Sequence, residues 1–142
     1  MKISLGSDHA GYQLKKIILN YLTKSGNIVI DRGCFSEERA DYPDYGHQVA
    51  NDVLSKEAIF GIVICGSGNG INMTVNKHAG IRSALCWNNE IATLSRQHND
   101  ANIIALPARY ISDQEALLCI ECFLKTAFEG GRHAERIKKI DV

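Results

Sequence analysis

A thiol stands at the end of an apolar run and is followed at once by alternating glycines: Cys65-Gly66-Ser67-Gly68-Asn69-Gly70 comes directly after Ile59-Phe60-Gly61-Ile62-Val63-Ile64. Three glycines free the backbone to turn several N–H groups toward one point, which makes an anion cradle. A thiol beside such a cradle can move a proton, or attack, while negative charge develops nearby. A glycine-rich strand-to-helix turn with a buried cysteine has the same pattern. Spacing removes several chemistries. A dinucleotide site places G-x-G-x-x-G after its first strand, whereas this loop follows the third predicted strand and lacks that spacing. A phosphate P-loop needs Gly-Lys-Ser/Thr, and Ile71-Asn72 stands there instead. A cysteine phosphatase needs an arginine where Ile71 stands. Proton transfer is left. A cysteine facing a helix N-terminus and a cluster of amides has its thiolate favoured. A thiolate next to an oxyanion cradle suits removal of a proton from carbon beside a carbonyl.

Three further groups carry chemistry. Asp8-His9 follows the first predicted strand and supplies an acid/base pair. Ser95-Arg96-Gln97-His98-Asn99-Asp100 separates a helix from an apolar strand; His98 there either faces the helix dipole or donates a proton to a ring oxygen. Arg132 and Arg136 are four residues apart with His133 between them. On a helix both guanidinium groups share a face, as a solvated surface pair or as a clamp for a phosphate dianion. Cys119 and Cys122 form a C-x-x-C in mid-helix, where packing rather than redox chemistry is expected. No His/Cys/Asp cluster has metal-ligand spacing, and Asp44-x-x-His47 reads as a surface pair.

Strand-like and helix-like segments alternate to position these residues. Strands are predicted over Lys2–Gly6, Ile28–Ile30, Ile59–Cys65, Ser83–Cys86 and Ile103–Leu106. Helices are predicted over Tyr12–Lys24, Tyr45–Leu54, Ile71–Asn76, Asn89–Gln97 and Asp113–Phe128, with Gly33–Pro43 the longest irregular loop. The first helix places Leu14, Ile17, Ile18, Tyr21 and Leu22 on one face and stops at Ser25-Gly26. Five alternations of short apolar strands with helices predict an α/β fold. It is a three-layer α/β/α sandwich on a five-stranded parallel, Rossmann-like sheet. Ligands of such sheets sit beyond the carboxyl ends of the strands, which makes neighbours of Asp8, Gly66–Gly70 and the segment after Leu106.

The chain has 142 residues, read as a single domain over 1–142, and a domain of that size buries roughly two-thirds of its unfolded surface. Its 16 basic and 16 acidic side chains cancel, so no global field recruits nucleic acid or an anionic membrane. No apolar run approaches the roughly 20 residues of a membrane span. Met1–Leu5 enters a strand pattern without a signal-peptide core. Five scattered cysteines fit a reducing cytoplasm better than a disulfide framework. The segment from Gly130 to Val142 is locally basic, with Arg132, Arg136, Lys138 and Lys139 against Glu135 and Asp141.

Six ordered motifs together resemble the ribose-5-phosphate isomerase type B family, which includes allose- and galactose-6-phosphate isomerases. They are Gly6-Ser7-Asp8-His9-Ala10-Gly11-Tyr12, Asp41-Tyr42-Pro43, Cys65–Gly70, Asn76-Lys77-x-x-Gly80-Ile81-Arg82, Ser95–Asp100 and Glu129-Gly130-Gly131-Arg132-His133. The resemblance runs from about Gly6 to Arg136. It implies an enzyme that interconverts an aldose phosphate and its ketose through an enediolate, without metal or cofactor. By that resemblance Cys65 moves the proton between C1 and C2, and Ser67 assists exchange at O1 and O2. Gly66, Ser67, Gly68, Asn69 and Gly70 hold the enediolate. His98 with Asp8 opens the furanose ring, Asn99 binds the sugar, and His9, Arg109, Arg132 and Arg136 bind phosphate or sugar. Sites shared between two subunits, in a dimer or dimer of dimers, are implied as well. Some members use a glutamate just after the loop as base; Ile71 stands here, and Ser67 replaces the commoner threonine. Ribose 5-phosphate is the expected substrate. The alternatives are a six-carbon sugar phosphate, or a sugar-phosphate-binding module without turnover.

Overall fold

Apolar runs become strands here because both faces of the sheet are covered. A computed structural model describes residues 1–142. Its strands are β1 (Lys2–Ser7), β2 (Ile28–Gly33), β3 (Phe60–Cys65), β4 (Ser83–Leu85) and β5 (Ile103–Pro107). Its helices are α1 (Tyr12–Lys24), α2 (Tyr42–Leu54), α3 (Asn69–Asn76), α4 (Asn89–Asn99), α5 (Asp113–Lys125) and α6 (Arg132–Ile137), with one 3-10 turn at His9–Gly11. The sheet order is β2-β1-β3-β5-β4, and every pair is parallel.

Successive side chains of one strand go to different cores. Ile62 and Ile64 join Ile3, Leu5, Ile104 and Leu106 against Leu14 and Ile18 of α1 and Ile120 and Phe123 of α5. Val63 and Cys65 join Ile103 and Ala105 against Val49 of α2 and Ile71 and Val75 of α3. This is the three-layer sandwich read from the sequence, and it directs the Cys65 thiol toward the α2/α3 side.

Several boundaries differ from the sequence reading. β2 runs on to Gly33, and α2 begins at Tyr42 with Pro43 in its first turn. Proline lacks only an N–H that the first turn leaves unpaired, so the predicted loop ends sooner, at Asp41. α5 stops at Lys125 rather than Phe128 because Thr126 turns extended and its hydroxyl donates to the Cys122 carbonyl at 2.6 Å. The chain then crosses to α4, where the Glu129 N–H donates to the Gln97 carbonyl at 3.1 Å. Residues after Gly131 form α6, a helix on which Arg132 and Arg136 share a face.

Cys119 and Cys86 are fully buried, and burial pushes each thiol up to about 12. The C-x-x-C is therefore helix packing. His47 does not pair with Asp44; its Nδ1 lies 2.7 Å from Nε2 of His78.

Candidate active site

From β1 the chain moves to β2 on one side, while from β3 it moves to the other side, to β4 at the edge and then back to β5 between them. The order reverses between β1 and β3, so a crevice opens beyond their carboxyl ends. Ser7 pairs with Ile64, which sets Asp8 beside Cys65 at that crevice. A cleft of about 380 Å³ occupies the position, lined by Asp8, His9, Cys65, Gly66, Ser67 and Gly70, with Arg109 on one side.

Asp8, His9 and Cys65 are held in place by their surroundings. Asp8 is buried, and its Oδ1 accepts from the Gly11 N–H at 3.1 Å, which caps the 3-10 turn. Nδ1 of His9 lies 3.2 Å from the Ala40 carbonyl and 3.1 Å from the Ala40 N–H, so the ring is tied to the loop before α2. Cys65 is 4 % exposed, with its sulfur against the α2/α3 core. The carbonyls of Cys65 and Gly66 accept from the N–H groups of Ala108 and Arg109 at 2.9 and 3.0 Å. Those two bonds fasten the segment after β5 to the glycine loop.

The cradle is open. The Asn69 N–H donates to Ser67 Oγ at 3.2 Å, whereas the N–H groups of Gly66, Ser67, Gly68, Gly70 and Ile71 have no acceptor in the chain. First-turn amides are unpaired in any helix, and the dipole of α3 adds to their attraction for negative charge. Gly68 is the N-cap of α3 at φ +77°, a left-handed position where a Cβ would also lie 2.4 Å from Leu85. Its work is the turn, and the cleft wall itself is formed by Gly66, Ser67 and Gly70 of the loop. A Cβ on Gly70 would lie 2.4 Å from Cζ of Tyr42. Tyr42 and Tyr110 also line the cleft, and no role for either was read from the sequence. Their signals were present: Tyr42 precedes Pro43 at a helix start, and Tyr110 follows Arg109 beyond the fifth strand.

The remaining predicted residues lie elsewhere. His98 and Asn99 end α4, just before β5 enters the sheet at Ile103, while Cys65 pairs with Pro107 at the other end of that strand. Four residues of strand separate the two edges by roughly 13 Å. Asn99 lines a different groove with Arg82 and Asn76. α6 packs against the same end of α4: the His98 and His133 rings stack at 4.3 Å and 12°. Arg132 and Arg136 belong to this edge and are exposed. Within one chain, then, His98 does not meet Asp8, and Arg132 and Arg136 do not meet Arg109. Spacing along the chain predicted no metal-ligand cluster, yet the fold brings His98, Glu129 and His133 donor atoms within 4.8 Å of one another.

A family model described as Ribose/Galactose Isomerase matches residues 3–140. The chain belongs to this isomerase family. Its similarity to individual members of the ribose/galactose isomerase family spans nearly the full length. It is 45 % identical to ribose-5-phosphate isomerase B of Escherichia coli, over 98 % of this chain and 93 % of that one. The solved ribose-5-phosphate isomerase B of Clostridium thermocellum superposes with a TM-score of 0.98 at 51 % identity, covering 99 % of this chain and 95 % of that one. The Mycoplasma genitalium enzyme, solved with bound ribulose-5-phosphate, gives 0.93 at 41 % identity, covering 98 % and 93 %. No helix of the chain is long and apolar enough to cross a membrane.

Proposed function

We propose that this isomerase interconverts ribose 5-phosphate and ribulose 5-phosphate, with Cys65 as the carbon base. The observation that carries the reading is the buried Cys65 thiol at the mouth of a cleft whose lining includes Gly66, Ser67 and Gly70, each with an unpaired amide. In the open-chain aldose, the Cys65 thiolate takes the C2 proton and the electron pair moves onto O1. The amides hold the resulting enediolate, charge that exists only along the reaction path. Ser67, whose oxygen already accepts from Asn69, moves a proton between O2 and O1. The thiol then returns its proton to C1, giving the ketose. His9 and Arg109 bind the sugar phosphate from this edge.

Ring opening and the rest of phosphate binding come from a second copy of the chain. Its His98, Asn99, Arg132 and Arg136 seat on the carboxyl edge, so that the His98 of one copy works with the Asp8 of the other. The roughly 13 Å between edges supports this division. The five free cysteines support a cytoplasmic setting. The test is isomerisation of ribose 5-phosphate, allose 6-phosphate and galactose 6-phosphate by wild type and by Cys65→Ala. The highest kcat/KM is expected on the five-carbon sugar, and Cys65→Ala is expected to lose about 100- to 10,000-fold in turnover on all three. Wild-type turnover by that variant would remove Cys65 as the base. No turnover by wild type on any of the three would leave a binding module.

A further inference from the structure

We infer that His133, whose ring stacks on that of His98, is a positioning residue for His98. The inference rests on the ring-opening role proposed for His98. His98 is half-buried in the last turn of α4, a place where a bare imidazole samples several ring orientations. Here its ring lies flat on His133, centroids 4.3 Å apart and planes 12° from parallel. His133 is itself buried, and its Nε2 lies 3.6 Å from a Glu129 carboxylate oxygen. Glu129 is anchored in turn by its N–H on the carbonyl of Gln97, the residue before His98. The backbone bond ties the linker to the end of α4 and the stack ties α6 to it, so the His98 ring has the face of His133 to lie against.

Electrostatics fit the same role. Burial disfavours the charged form of His133, and the neighbouring His98, Arg132 and Arg136 add to that, outweighing Glu129. A neutral His133 supports the neighbouring ring without competing with it for a proton. The cluster fits a metal ion poorly. Two parallel rings cannot both direct an in-plane lone pair at one ion, and two arginines flank them.

Ring opening can be separated from carbon chemistry because ribulose 5-phosphate, with its C5 oxygen phosphorylated, has no furanose form. Turnover of ribose 5-phosphate requires the ring to open, while solvent-hydrogen exchange at C1 of ribulose 5-phosphate does not. Both rates are measured for wild type, His98→Asn, His133→Leu and His133→Phe. His98→Asn is expected to lower turnover about 100-fold or more with exchange retained. His133→Leu, which removes the stacking ring, follows the same pattern at about 10- to 100-fold. His133→Phe, which keeps a flat partner, recovers most of the turnover. If His98→Asn lowers turnover and exchange equally, the ring-opening role of His98 fails. If His98→Asn is selective but His133→Leu leaves turnover intact, or lowers both rates together, the positioning role fails. Failure of His133→Phe to recover activity that His133→Leu loses overturns it as well.

Discussion

Cys65 owes its place to a single period of the pleat. Ile62 and Ile64 fill one core and Val63 and Cys65 the other, so the last residue of β3 delivers a sulfur to the side on which α3 begins. Replacing Cys65 by Ala removes the proposed proton acceptor and leaves the amides in place. We expect kcat to fall about 100- to 10,000-fold while calorimetry still detects ribulose 5-phosphate binding. Gly70 carries a second prediction. A methyl group there meets the Tyr42 ring, so Gly70→Ala should lower kcat/KM roughly tenfold, the scale of a displaced pocket wall, with little change in Tm. An unchanged kcat/KM would mean that Tyr42 is not a wall of the working pocket. Cys65, Asp8 and the glycine loop were legible in the sequence because each follows a strand at the ligand edge. Tyr42 was not, because its part depends on the α2 start lying over Gly70, a contact between segments 28 residues apart.

At the scale of elements, the helices and strands were readable from apolar spacing, but their ends were decided by single contacts such as the Thr126 hydroxyl on Cys122. One polar contact does similar work between β1, β2 and α2. Asp52, buried on α2, accepts from Ser4 at 2.7 Å and from two Arg32 nitrogens at 2.7 and 2.8 Å. Burial alone would raise this carboxyl, but the hydrogen bonds of Arg32 and Ser4 and the Arg32 charge hold it below the usual 3.8. A carboxyl depressed in the folded state stabilises above its unfolded value, and that contribution is lost as pH falls. Asp52→Asn should therefore cost about 2 kcal/mol at neutral pH, below the range for a fully buried pair because Arg32 is partly exposed. Thermal melts from pH 7 down to 2 should show the gap from wild type narrowing below about pH 4. A gap that stays constant would assign the stability to packing. The sequence held no sign of this triad, since its members are 20 to 48 residues apart.

The whole molecule presents two half-equipped edges. One has Cys65, the proposed base, with the glycine loop and Arg109; the other has His98, Asn99 and the α6 arginines, across the length of β5. The sequence supplied both sets of residues and the prospect of a shared site, but only the sheet assigns them to opposite edges. His98 comes before β5 and Arg109 after it, a consequence of strand direction that motif spacing alone does not display. If each working site takes one edge from each of two copies, two different inactive variants can repair one another. Cys65→Ala and His98→Asn, co-expressed or mixed through reversible dissociation, form half mixed dimers under random pairing, each with one site free of both changes. Ribose 5-phosphate turnover should then return to about one quarter of wild type. If the mixed dimers are isolated and remain as inactive as either parent, the site is not shared and this account of the molecule is wrong.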